Sequence, residues 1–371
     1  MDVISLTKKL ISFDTINPPG NEALIAEFVG GLLGDKGFEV EYLDFDSNRK
    51  HVIAEKGVSS SGKPLIFSGH FDTVPLGNQK WSYNPLNGEI EAGKIYGRGS
   101  SDMKSALAAM ICASIEVPSG EIPKEGIRLI FTAAEELGCQ GVQQMVKNYN
   151  LAKHASAIII GEPTGNVPAI GHKGAIYLNA VALGKTAHSS MPELGINAIY
   201  KAARAISKIE VFRFNAENDI LLGFPTINVG KVNGGMNINS VPDRAEFTID
   251  IRTTTSLSHN EILNILSREL GSEIALEKLV DLNPVYTDEQ DPFVQLVYKI
   301  CLKDDVSEQL PLALSYLTDG SVLQDYYGEI PTIILGPGQP EMAHKTDEFC
   351  FISKIERAVS IYKNIILNWR N

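Results

Sequence analysis

Acids and histidines follow four short apolar runs in this chain. PLIFS is followed by Gly69-His70-Phe71-Asp72, IRLIFTAA by Glu135-Glu136, and ASAIII by Gly161-Glu162-Pro163, while PTIILGPG leads on to Ala343-His344. A fifth element, YGRGSSDMK, sets Asp102 in a glycine-rich turn ahead of an Ala-rich helix. Two imidazoles and several carboxylates brought to one place suit zinc or a similar borderline cation. Without a cation the cluster would repel itself and be costly to desolvate. Singly, each feature is ordinary: a His after a strand is commonly a satisfied loop residue, and paired glutamates commonly open a helix, facing its favourable dipole end. Their joint occurrence at strand ends is what points to a metal centre.

The elements that must position these residues follow an α/β order. A helix near Val3 to Ser12, a Pro18-Pro19-Gly20 turn and a second helix to about Gly37 precede extended apolar stretches. The four apolar runs, bounded by polar or Gly/Pro residues, read as buried and parallel central strands. In open α/β sheets, ligands bind beyond the carboxyl ends of such strands, which is where the acids and histidines gather. Between the third and fourth runs lies a segment with its own order: strand (AIYLNAVALG), helix (Gly195 to Lys208), strands FPTINVGKV and RAEFTIDIR, helix (Ser258 to Leu270), strand (SEIALEKLV). The β-α-β-β-α-β order predicts a ferredoxin-like α+β domain inserted into a split α/β domain. The expected division is 1–173, 174–283 and 284–371.

At 371 residues with 44% hydrophobic content, two domains with a large core are expected. The net charge of -12, from 33 basic and 45 acidic residues without a basic cluster, argues against a nucleic-acid partner. No apolar run approaches the roughly 20 residues needed to cross a bilayer. The polar residues Asp2, Lys8 and Lys9 interrupt the N-terminal apolar residues, so a cytoplasmic protein without membrane association is expected. Cys112, Cys139, Cys301 and Cys350 form no CxxC pair and read as reduced core thiols.

The strings SGHFDTVP, YGRGSSDMK, TAAEELG, GEPT, AHSSMPELGINAI and LGPGQPEMAHKTDE run in order from about His70 to Glu348. They resemble those of the dinuclear zinc amidohydrolases that include acetylornithine deacetylase, succinyl-diaminopimelate desuccinylase, aminoacylase and glutamate carboxypeptidase. The resemblance implies a zinc-exopeptidase-like catalytic domain, its mixed and mostly parallel sheet sandwiched by helices, with the inserted domain acting as lid and dimerisation surface. It also implies two zinc ions, with cobalt or manganese as possible substitutes. His70 and Glu162 would hold one ion, Glu136 and His344 the other, and Asp102 would bridge both. Asp72 would orient the other ring nitrogen of His70.

Neighbours on an extended chain point to opposite sides, so Glu135 and Glu136 cannot both reach one metal in the same way. Glu135 resembles the general base, which takes a proton from the metal-bridging water and passes it to the departing amine. His188, in GKTAHSS, resembles a histidine that reaches across a homodimer to steady the oxyanion. Asn237 and Arg252 resemble residues that contact a substrate carboxylate. The expected substrate is a small N-acyl amino acid or dipeptide-like amide.

The segments around His172-Lys173-Gly174, AHSSMPELGINAI and LSYLTDG are most similar to acetylornithine deacetylases. The same site would serve a desuccinylase, or a metallo-dipeptidase or carboxypeptidase. A catalytically silent binding protein is expected to have lost a ligand or the base, whereas Glu135 and all five ligand positions are filled here. The loop Thr318-Asp319-Gly320-Ser321 departs from the family's GTDxR pattern, having no Arg at its last position.

Overall fold

The structure, a computed structural model, describes residues 2–59, 61–302 and 312–370. The chain divides into two compact units, one of Met1–Gly171, Val285–Leu312 and Thr318–Asn371, the other of His172–Pro284 and Ala313–Leu317.

The first unit is built on a nine-stranded mixed sheet. At its centre lie Ile127–Thr132, Leu65–His70, Ala157–Ile160 and Thr332–Ile334, adjacent in that order and mutually parallel. Every residue of these four strands is buried, which is why they read as unbroken apolar runs. Antiparallel strands Arg49–Lys56 and Glu39–Asp46 extend one side, so the sheet is mixed. Helices flank it. Val3–Ile11 starts where the Asp2 carboxylate accepts from the amides of Ile4 and Ser5, and it buries Val3, Leu6, Leu10 and Ile11 at helical spacing. Glu22–Gly34 stops three residues short of Gly37, which takes a left-handed φ of 82°. Ser105–Glu116 is buried from Ser105 to Ser114, and small side chains let it pack closely on Ile352–Asn368.

The second unit has the expected β-α-β-β-α-β order. Its four-stranded antiparallel sheet runs Thr226–Gly234, Arg244–Thr253, Gly174–Leu183, Ile274–Leu282 in space. Alternate residues of Arg244–Thr253 are buried, so one face of that strand meets the core with Ile176, Leu178, Ala202, Ile262 and Leu266. The first helix spans Ala198–Val211, three residues later than its sequence suggests, because the Asn197 side chain caps it by accepting from the Tyr200 amide. The second, His259–Leu270, opens on a capping box of Ser258 and Glu261.

A buried histidine of the first unit makes its stability pH-dependent. His51 is fully buried; its Nδ1 accepts from the Ala133 amide at 3.0 Å, and burial pushes its pKa down to about 4. The unfolded chain takes up this proton below about pH 6.5, whereas the folded chain does so only near 4. The contribution of His51 to stability should therefore be constant above 6.5 and fall by up to about 3 kcal/mol as the pH drops to 4. In denaturant titrations at pH 7.5 and 4.5, His51→Gln should lose less stability between the two pH values than the wild type; an identical difference would contradict the assignment.

Candidate metal centre and active site

The sheet delivers its residues to one edge. In register, His70 stands beside Thr132 and Ser68 beside Ile160, so His70 ends its strand while Glu135, Glu136 and Glu162 follow theirs. Asp102 comes from an irregular turn, Ser100–Lys104, ahead of Ser105–Glu116. A residue far along the chain shapes that turn. The fully buried Glu348 carboxylate accepts from the amides of Gly99 (3.0 Å), Ser101 (2.7 Å) and Asp102 (3.0 Å), and from Arg98 Nη1 (2.7 Å). Nearby, Gly338 packs so tightly that a Cβ there would lie 2.1 Å from the Ser101 carbonyl oxygen.

The donors form two groups that share one residue. His70 Nε2 lies 3.2 Å from Asp102 Oδ1 and 3.5 Å from Glu162 Oε1. His344 Nε2 lies 3.5 Å from Asp102 Oδ2 and 3.1 Å from Glu136 Oε2. Asp102 thus turns one oxygen to each imidazole. In each group, one potential ligand atom per residue falls within 4.8 Å of the others. The His70 side is buried, whereas the His344 side chain is 55% exposed.

The donor chemistry fits a cation in each group. His70 Nδ1 lies 2.9 Å from the Asp72 carbonyl oxygen, which can only accept, so Nδ1 carries the proton. In the neutral ring the Nε2 lone pair then faces two carboxylate oxygens, an arrangement stable only with a proton or a metal ion between them. Burial alone would lower the His70 pKa, yet Glu162 and Asp102 carry it well above the usual imidazole range. Burial and the neighbouring Asp102 push Glu162 up to about 8 and also raise Glu136. Hydrogen bonds to Asp102 and Glu136 lift His344 to about 10. One oxygen of Glu136, Oε1, is buried without a hydrogen-bond partner.

The adjacent glutamates diverge, though not by strand alternation. The strand ends at Thr132, and Ala134 takes a left-handed φ of 59°, putting both acids on a turn. Glu136 faces His344, while Glu135 Oε1 lies 3.4 Å from Cys139 Sγ. Asp72 meets the His70 ring through its carbonyl; its carboxylate, 3.7 Å from His70 Nδ1, accepts instead from the amides of Glu135 (3.0 Å) and Glu136 (3.1 Å) and from Asn17 Nδ2 (2.9 Å). Asp72 therefore fixes both glutamates as well as the imidazole. No local pattern marks Asn17, Arg98 or Glu348 as site residues, while Cys139 reads only as a core thiol and Asp319 only as part of a loop that departs from the family pattern.

His188, Asn237 and Arg252 belong to the second unit. His188 is exposed, and its Nδ1 accepts from the Ser190 amide at 3.2 Å, so the neutral ring carries its proton on Nε2. Asn237 is exposed. Arg252 is paired with Asp250 through Nε at 2.9 Å and Nη2 at 3.1 Å, and its guanidinium lies 5.4 Å from the centre of the Tyr177 ring.

Glu348 gives a direct test of how the turn is held. In Glu348→Gln the new amide group would have to face backbone N–H donors. Metal affinity should fall by about 10- to 100-fold with the far-UV spectrum unchanged; unaltered affinity in a metal titration would show that the turn holds its shape without the carboxylate.

An α/β sheet that gathers two imidazoles and two glutamates around one shared aspartate has the donor set of a dinuclear metal centre. The sequence profile of peptidase family M20/M25/M40 matches residues 66–368, and the chain belongs to this family of amide-bond hydrolases. It is 29% identical to a probable succinyl-diaminopimelate desuccinylase of Staphylococcus epidermidis and 29% identical to an acetylornithine deacetylase of Vibrio parahaemolyticus, with 98% of this chain and 96% of each relative covered. Among solved structures, an M20 family metallo-carboxypeptidase of Sulfolobus solfataricus shares the fold with a TM-score of 0.78 at 20% identity, with 99% of both chains covered. A dinuclear metal binding peptidase of the M20 family from Bacillus subtilis does so with a TM-score of 0.71 at 17% identity, covering 98% of this chain and 96% of that one. Among the described residues, no helix is long and apolar enough to cross a membrane.

Proposed function

We propose that the protein is a dinuclear zinc deacylase that hydrolyses the amide of a small N-acyl amino acid. The observation that carries this reading is Asp102, whose two oxygens face His70 and His344 separately. His70 and Glu162 would hold one ion, Glu136 and His344 the other, with Asp102 available to both. Two such ions, when bound, would polarise the amide carbonyl and make water nucleophilic near neutral pH. Glu135 takes the proton of the attacking water and hands it to the leaving amine. Its burial suits that task, because burial and the Glu162 charge raise its proton affinity well above that of an ordinary carboxylate. Asp72 and Asn17 hold the turn on which the base sits.

The inserted unit serves as lid and dimerisation surface. Ile199, Tyr200, Val232 and Met236 are exposed on it, which supports a partner surface in a homodimer. His188 acts from the neighbouring subunit, donating from Nε2 to the oxyanion, while Asn237 and Arg252 receive the substrate carboxylate. Arg252 must exchange Asp250 for substrate to do so. The enzyme works in the cytoplasm, with cobalt or manganese able to replace zinc. The motif resemblance favours an acetylated substrate. Equal identity to a desuccinylase and a deacetylase leaves succinyl substrates as the second reading.

Side-by-side assay of N-acetylornithine, N-succinyl-diaminopimelate and simple dipeptides, with zinc, cobalt or manganese, tests the substrate assignment. The greatest kcat/KM is expected on N-acetylornithine; preference for dipeptides would replace the deacylase reading with a peptidase one.

A further inference from the structure

Beside Glu135 lie two further buried polar side chains, Cys139 and Asp319, that take no part in the proposed reaction. One ligand atom from each of Glu135, Cys139 and Asp319 lies within 4.8 Å of the others, and all three residues are buried. Cys139 Sγ is 3.4 Å from Glu135 Oε1. The backbone is shaped to make this contact: the Cys139 amide donates to the Glu135 carbonyl at 2.7 Å, closing the turn. Cys139 itself takes a left-handed φ of 56°, a conformation that a non-glycine residue rarely adopts. Such outliers gather where surrounding structure imposes them for a functional reason. Asp319 walls the other side, its Oδ2 accepting from Thr132 Oγ1 at 2.5 Å and its carboxylate within reach of the Cys139 thiol as a second acceptor.

We infer that Cys139 is a positioning residue for the general base, its thiol donating to Glu135 Oε1 so that the other carboxylate oxygen is held free for proton transfer, with Asp319 confining the thiol. This rests on the reading of Glu135 as base. Burial, together with the Glu135 and Asp319 charges, raises the thiol pKa well above its ordinary value, so the sulfur keeps its hydrogen and remains a donor. Donation to one oxygen fixes the carboxylate rotamer without neutralising it. Cys139 is thus more than core filling, and the bond it makes explains why a polarizable donor sits in an otherwise strained turn position.

The test compares Cys139→Ala and Cys139→Ser in the metal-loaded enzyme, with Glu135→Gln as the control. Cys139→Ala should lower kcat about tenfold with KM little changed. Cys139→Ser, whose hydroxyl also donates, should restore most of the rate. Wild-type kcat in Cys139→Ala, a loss carried by KM, or equal impairment of both variants would overturn the inference. If Glu135→Gln itself were active, the base assignment would fail; if it were inactive while Cys139→Ala turned over normally, only the positioning role would fail.

Discussion

Glu135→Gln should lower kcat by about a hundred- to ten-thousand-fold while leaving the metal content intact. The amide has nearly the shape of the carboxylate and cannot take a proton from water. The turn should survive the change, because its anchors are backbone groups: the amides of residues 135 and 136 donate to Asp72, and the carbonyl of residue 135 accepts from Cys139. Glu135 makes no contact with either imidazole within ion-pair distance, unlike Glu136 and Glu162. Activity should therefore separate from metal binding at this position alone among the site acids. Steady-state kinetics and metal analysis on the same preparation check it; a near-normal rate would remove the base from the mechanism.

Asp102→Asn should have a comparably large effect by a different route. Asp102 is the residue common to both donor groups, and hydrogen bonds from His344 and His70 hold its carboxyl below the usual range despite burial. Asparagine offers one neutral oxygen where two charged ones stood, so neither group keeps its full ligand set. Turnover should fall at least about a hundredfold and the bound metal should drop below two ions per chain. Folding should be spared, since Glu348 grips the turn through the backbone amides of residues 99, 101 and 102, which the substitution leaves in place. Retention of two ions and normal turnover would show that Asp102 does not bridge.

Much of this site was legible because buried parallel strands leave a plain signature. Leu65–His70, Ile127–Thr132, Ala157–Ile160 and Thr332–Ile334 are apolar along their length since both faces are covered, and the polar residues after them stand out. The inserted unit was legible from its order of alternating elements. What could not be read depends on tertiary contact. The Glu348 carboxylate meets the Asp102 amide across 246 positions of chain, and no local pattern marks such a pair. Alternation along a strand does not apply to Glu135 and Glu136, because the strand ends at Thr132 and Ala134 is left-handed; the turn directs Glu136 toward His344 and Glu135 toward Cys139. Cys139 read as a core thiol, and it is buried; only the folded turn brings its sulfur to a carboxylate. Asp319 stood in a loop noted for a missing arginine, yet its carboxylate lies inside the protein against Thr132.

In the proposed mechanism one shared aspartate organises two metal ions for amide hydrolysis. The measurement that tests it most directly is a calorimetric titration of metal-stripped protein with zinc, with N-acetylornithine hydrolysis followed on the same samples. Two ions per chain are expected, with no turnover without them and recovery as they bind. Full activity in protein stripped of metal, or saturation at one ion with full activity, would contradict it.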